Sequence, residues 1–125
     1  MSEPVRAGEG NHYTWGNICD GWHLLRDADF SVIEERMPPG AEEQRHFHVR
    51  SRQFFYVLAG ELTMELAGQR HLLPAGYGLE IAPGEPHQAL NVADREVRFL
   101  VISQPASHGD RQPAQPLGTL IQKQQ

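Results

Sequence analysis

The sequence predicts an all-β protein: an antiparallel β barrel, closed or nearly so. Three observations lead there. Short runs along the chain alternate apolar with polar residues or are rich in β-branched and aromatic ones. Turn signals separate these runs at close intervals: Pro39-Gly40, Ala59-Gly60, Gly68-Gln69, Pro74-Ala75-Gly76, Pro83-Gly84 and Asp94-Arg95. No stretch carries a convincing helical period.

Taken in order, residues 1–12 are polar and Gly-rich and read as a flexible arm. The barrel is expected over residues 13–104. An early strand near Cys19-Asp20-Gly21-Trp22-His23-Leu24 carries Trp22, expected over the barrel mouth or in a dimer interface. Ser31-Val32-Ile33-Glu34-Glu35-Arg36-Met37 reads as a strand stopped by Pro38-Pro39-Gly40, although its Glu-Glu-Arg run also suits a helix. Gln53-Phe54-Phe55-Tyr56-Val57-Leu58 suits a strand buried on both sides. In Glu61-Leu62-Thr63-Met64-Glu65-Leu66, alternation puts Leu62, Met64 and Leu66 on one face. Val97-Arg98-Phe99-Leu100-Val101-Ile102 is a further strand. Residues 105–125, with Pro105, Pro113 and Pro116 among Gln, Ser and Gly, read as a tail, or as a segment ordered only against a partner subunit.

The 125 residues fit one domain with a single core. With 39% hydrophobic and 22% charged residues, the chain reads as globular rather than disordered. A net charge of −5 and the absence of a basic stripe argue against a nucleic-acid partner. Cys19 is the single cysteine, so no intrachain disulfide is available. Residues 1–6 have no signal-peptide run, and no stretch approaches the roughly 18 apolar residues of a membrane span. A cytoplasmic protein without a membrane association is expected.

The chemistry concentrates in two places. His46-x-His48 follows Gly40, with Gln53 and Gly60 beyond it. Downstream come Gly76, Ala82-Pro83-Gly84-Glu85-Pro86-His87 and Asn91. On a strand, His46 and His48 point to one face and Phe47 to the other. A reversal at Val49-Arg50-Ser51-Arg52 then starts the next strand at Gln53, near His48, with Phe55 and Val57 on the same wall. His87 opens a strand with Ala89 and Asn91 on its side. Three neutral imidazoles plus an amide oxygen suit a divalent transition ion such as Zn, Ni, Fe or Mn, while Ca and Mg prefer all-oxygen shells.

This pattern resembles the cupin superfamily. The family's first motif, Gly-x5-His-x-His-x3–4-Glu-x6-Gly, is met at Gly40, His46, His48 and Gly60, with Gln53 at the usual Glu position. Its second, Gly-x5-Pro-x-Gly-x2-His-x3-Asn, is met at Gly76, Gly84, His87 and Asn91, with Ala82 for the first Pro. The motifs span 40–91, and the strand pattern extends the likeness over 22–103. The resemblance implies a small single-domain cupin: a jelly-roll antiparallel barrel (double-stranded β-helix) of RmlC-like type, often a homodimer, with metal ligands His46, His48, Gln53 and His87. Some cupins use a His-His-Gln-His set, including one acting on unsaturated uronates from pectin breakdown.

Gln53 removes the negative charge a glutamate would bring. The site then keeps about +2 rather than about +1, which favours an anionic ligand and Lewis-acid chemistry over oxygen activation. The expected function is metal-dependent isomerisation, or a related proton-transfer or lyase step, on a small anionic metabolite such as a sugar acid. The alternatives are a dioxygenase using Fe or another redox metal, and a non-catalytic small-molecule binding module.

Other residues carry weaker signals. His12, His23, His71 and His108 lie outside the motifs and read as surface or packing residues. Arg45, Arg50 and Arg52 read as a solvated turn, one of which could reach a substrate carboxylate. Glu35, Tyr56 and Glu80 are acid–base candidates whose facing alternation leaves open.

Overall fold

The structure is a computed structural model that describes residues 3–16 and 18–117. Every element within them is a strand: β1 His12–Trp15, β2 Cys19–Arg26, β3 Ser31–Met37, β4 His46–His48, β5 Arg52–Ala59, β6 Glu61–Leu66, β7 Gln69–Pro74, β8 Gly78–Ile81, β9 His87–Leu90, β10 Val97–Gln104 and β11 Arg111–Pro113. They form a six-stranded sheet ordered β1-β2-β3-β10-β5-β8, facing a five-stranded sheet ordered β11-β4-β9-β6-β7. All pairings are antiparallel. This is the expected jelly roll. Among the described residues no helix is long and apolar enough to cross a membrane.

The register of β3, β10 and β5 lays out the inner face of the larger sheet in rungs. Ser31, Ser103 and Gln53 form one; Ile33, Val101 and Phe55 the next; Glu35, Phe99 and Val57 the third. Strand alternation sends these side chains inward together. Met37, Val57, Leu62, Met64, Val97 and Phe99 are fully buried and pack the core. The polar rung marks where packed core gives way to cavity.

The helical alternative for the Glu-Glu-Arg run is settled by partners: β3 pairs along its whole length with β2 and β10, so long-range pairing overrides local propensity. The strand at 53–58 differs from expectation. Gln53, Phe55 and Val57 are buried, but Phe54, Tyr56 and Leu58 are 40%, 38% and 42% exposed. Among the described residues, only one face of this sheet is covered.

The β6–β7 turn is formed by Ala67 and Gly68, one residue earlier than the Gly-Gln signal suggests. Both have positive φ, 50° and 94°, the twist a two-residue hairpin needs. The stretch read as a tail contributes β11, which pairs with β4: Arg111 lies opposite His48, and Pro113 opposite His46. Residues 118–125 of that tail lie outside the described residues.

Candidate metal centre and its cavity

Strand alternation in β4 buries His46 and His48 on the inner side and leaves Phe47 half-buried on the other. His87 opens β9, pairs in register with His46 and is fully buried. The three rings converge: centroids lie 4.3 Å apart for His46 and His87, 5.0 Å for His46 and His48, and 5.8 Å for His48 and His87. One nitrogen from each lies within 4.8 Å of the others, close to the span that ligands of a single ion occupy.

Hydrogen bonds set two of the tautomers. His46 Nδ1 lies 2.9 Å from the Gln44 carbonyl, and His87 Nδ1 lies 3.0 Å from the Glu85 carbonyl. A carbonyl only accepts, so both Nδ1 atoms carry the proton and donate. Their Nε2 lone pairs are thereby free for a metal, the usual arrangement of ligating histidines. Among the described residues, neither the buried His87 Nε2 nor the buried His48 Nδ1 has a hydrogen-bond partner.

Burial, reinforced by the other histidines, pushes His46 down to about 3 and His48 down to about 4. Burial also lowers His87. All three rings are neutral at neutral pH, as a ligand set requires.

Gln53 reaches the site differently from the sequence reading. The turn after His48 is not a hairpin, because β4 and β5 do not pair. It carries the chain across from one sheet to the other, so Gln53 approaches from the opposite wall. Its Nε2 donates to Ser103 Oγ at 3.1 Å, while its Oε1 is buried with no partner among the described residues. An orphaned amide oxygen and an orphaned imidazole nitrogen are costly to leave in a protein interior. An amide oxygen and neutral imidazole nitrogens are donors that fit a divalent transition ion.

His46, His48 and Gln53 line a cavity of about 770 Å³. Ile33, Phe55 and Val101 supply apolar wall, and Val57 is core below it. Tyr13, Glu35, Glu43, His23 and Arg111 also line it. Glu35 therefore faces inward. Tyr56 and Glu80 face out, Glu80 standing 3.9 Å from Arg52.

The arginines around the motif divide. Arg50 and Arg52 are exposed as expected, but Arg45 is 6% exposed and turned away from the cavity. Its Nε and Nη2 donate to the two Glu65 oxygens at 2.7 and 3.1 Å. His23 packs against Tyr13, ring centroids 5.0 Å apart, and lines the cavity. Trp22 lies on the outer face of the larger sheet, 5.8 Å from the Arg36 guanidinium.

Tyr13, Glu43 and Arg111 escaped the sequence reading because they sit at the very start of the barrel, in a loop and in the tail. The aromatic alternation of Tyr13 and Trp15 was the available signal for the first. Nothing local marks the other two.

A two-sheet jelly roll with three inward histidines on one sheet is the architecture of a cupin. Residues 33–103 match the cupin domain family, and the chain belongs to it. It is 38% identical over 64 residues to the polyketide synthase CurC of Streptomyces cyaneus, across 51% of this chain and 42% of that protein. The match thus covers less than half of that relative's length. Among solved structures, the polyketide cyclase RemF from Streptomyces resistomycificus superposes with a TM-score of 0.79 and 21% identity, over 93% of this chain and 87% of RemF. KdgF from Halomonas sp. gives a TM-score of 0.76 and 18% identity, over 85% of this chain and 96% of KdgF. At these identities the two structures show a shared fold.

Proposed function

We propose that this protein is a metal-dependent enzyme that acts on a small anionic carbonyl compound, by isomerisation or a related proton-transfer step. The observation that carries this reading is the convergence of three neutral imidazoles, two of which line a cavity that Gln53 also lines. His46, His48, Gln53 and His87 would hold a divalent ion: Zn, Ni, Fe or Mn. Such an ion supplies Lewis acidity, drawing electron density onto a substrate oxygen.

The four side chains bring no negative charge, which favours an anionic ligand. Arg111, exposed at the cavity rim, adds a guanidinium suited to a carboxylate. Ile33, Phe55 and Val101 keep water from the carbon skeleton. A cavity of about 770 Å³ exceeds the needs of a sugar acid. Together with the likeness to the polyketide synthase CurC and the polyketide cyclase RemF, this volume favours a polyketide-type carbonyl compound over a sugar acid.

We further propose a homodimer. On the outer face of the larger sheet, Val32, Ile102 and Phe54 form one row, and Trp22, Glu34, Leu100 and Tyr56 the next. These side chains form a mainly apolar strip that a second copy would cover. The lone, buried, free Cys19 suits the reducing cytoplasm, where we place the protein.

The test is elemental analysis of untagged, unchelated protein beside His87→Ala. About one transition ion per chain, lost in the variant, is expected. No ion in either protein, even after reloading, overturns the reading. A Gln53→Glu variant should hold metal more tightly and bind oxalate less well; unchanged affinities for both would remove Gln53 from the ligand set.

A further inference from the structure

We propose that Glu35, held by Tyr13 across Gly21, is the acid–base residue that moves the substrate proton in this cavity. The inference rests on the enzymatic reading above and names the group that carries it out.

The first observation is what Glu35 lacks. The other enclosed carboxylates here have structural partners. Glu34 pairs with Arg98, Glu65 with Arg45, and the Asp110 carboxylate accepts backbone amides. Glu43, also at the cavity, accepts the Ala89 backbone amide at 2.9 Å, which ties it to β9. Glu35 accepts one hydrogen bond, from the Tyr13 hydroxyl at 2.6 Å. It sits on a rung otherwise occupied by Phe99 and Val57. A carboxyl placed there without an ion-pair partner costs stability, and its one hydrogen bond ties it to Tyr13 alone.

The second observation is the seat built for its partner. Gly21 pairs with both Tyr13 and Glu35. A Cβ at position 21 would fall inside the Tyr13 ring, against Cζ, Cε1 and the hydroxyl oxygen. The bare backbone is what lets the phenol lie across β2 and reach Glu35. The third observation is access: Tyr13 and Glu35 line the same cavity as His46, His48 and Gln53.

The groups facing Glu35 are Tyr13 from β1, Cys19 from β2, Glu43 from the loop before β4 and Arg111 from β11; Phe99 beside it on β10 is apolar. Burial pushes Glu35 up to about 7, opposed by the Tyr13 hydrogen bond and by Arg111. Both protonation states are then populated near neutral pH, the condition a proton-transfer group needs. Burial, followed by the Glu35 charge, pushes Tyr13 well above its ordinary value, so Tyr13 stays a donor.

The substrate class is a β,γ-unsaturated carbonyl compound, with an acidic C–H between the carbonyl and the C=C bond. The Glu35 carboxylate takes that proton. The C–H bond breaks, its electron pair becomes a C=C bond, and the carbonyl oxygen takes the negative charge. The protonated Glu35 then returns the proton to a different carbon of the conjugated system, restoring the carboxylate and leaving an isomer. No co-reactant is consumed.

The experiment measures deuterium exchange from solvent into pyruvate and levulinate by NMR, using metal-loaded wild type, Glu35→Gln, Tyr13→Phe and Gly21→Ala, with metal content determined for each. Glutamine keeps the volume and can still accept from Tyr13. A merely structural Glu35 would therefore tolerate it. The expected result is full metal occupancy and an exchange rate lower by about 10²–10⁴-fold in Glu35→Gln, with partial rescue in Glu35→Asp. The wild-type rate should rise through an inflection near pH 7. In Tyr13→Phe and Gly21→Ala that inflection should move to higher pH, because the hydrogen bond that favours the carboxylate is lost. A carboxyl infrared band that titrates near 7 and is absent from Glu35→Gln reads the same group without turnover. Equal exchange and equal pH profiles in wild type and Glu35→Gln overturn the assignment while leaving the metal enzyme standing. Absence of exchange in metal-loaded wild type overturns both this assignment and the carbonyl reading beneath it.

Discussion

Asp110, in the segment after β10, accepts the Ser51 backbone amide on its carboxylate at 2.8 Å. The same oxygen accepts the Arg50 amide at 2.9 Å, and Ser51 Oγ donates to the Pro105 carbonyl at 2.7 Å. A stretch that reads in composition as a tail thus lashes down the turn between His48 and Gln53. That turn carries the chain from one sheet to the other, so its shape sets the distance between the histidines and the amide.

Asp110→Ala should therefore loosen the donor set without removing a ligand. Metal affinity is expected to fall about 10- to 100-fold, as for other groups that orient ligands. Competition with a chromophoric chelator measures it, and an unchanged affinity would show that the turn holds without the carboxylate. Burial raises Asp110, but the Arg50 and Ser51 amides outweigh it and hold the carboxyl below its ordinary value. Its contribution is thus present above the ordinary carboxylate range and is lost as pH falls through the depressed value.

Arg45 and Glu65 form a buried fork, with Arg45 Nη1 also donating to the Gln115 carbonyl at 2.9 Å and Glu65 accepting the Gly68 amide at 2.7 Å. Removing one partner strands the other charge. Arg45→Ala should destabilise the metal-free protein by about 3–5 kcal/mol, and the double change to apolar residues of similar volume by much less. Urea denaturation of the two variants distinguishes these outcomes.

Glu35 makes the stability depend on pH in a definite direction. Its folded value, about 7, is raised from an ordinary 4.5 by burial. Between those values the folded state holds the proton more tightly than the unfolded state does. Stability contributed by the neutral carboxyl is therefore full below 4.5 and lost as pH rises through about 7. Subtracting the Glu35→Gln curve from the wild-type curve isolates this slope from that of the histidines, which runs the opposite way. A flat difference between pH 4 and pH 8 would contradict it.

The outer face of the larger sheet predicts an association. Ile102→Glu places a charge in the centre of the apolar strip and should convert a dimer to a monomer in sedimentation, with metal content unchanged. A wild type that sediments as a monomer at micromolar concentration would remove the homodimer.

Much of the barrel and of its histidine cluster was legible from local pattern. His46 and His48 share a face because successive strand side chains alternate, and that geometry lies within three residues. His87 was legible because Pro83-Gly84 and Pro86 force a turn just before it. The outward face of 53–58 was misread as buried within the chain, because an aromatic strand looks the same whether or not its second face is covered. The turn at 49–52 was read as a reversal because both routes, hairpin or crossing, use the same polar residues.

What the sequence determined by itself was the class of fold and the spacing of the donors. Both follow from backbone alternation and turn chemistry, which act over a few residues. What only the tertiary structure decided was the cavity. Tyr13, Glu35, Glu43 and Arg111 come from separate parts of the chain and meet because β3 pairs with β2 and β10 while β11 pairs with β4. Those pairings are chosen by the burial of whole strand faces, a long-range cost that no single residue or short motif carries.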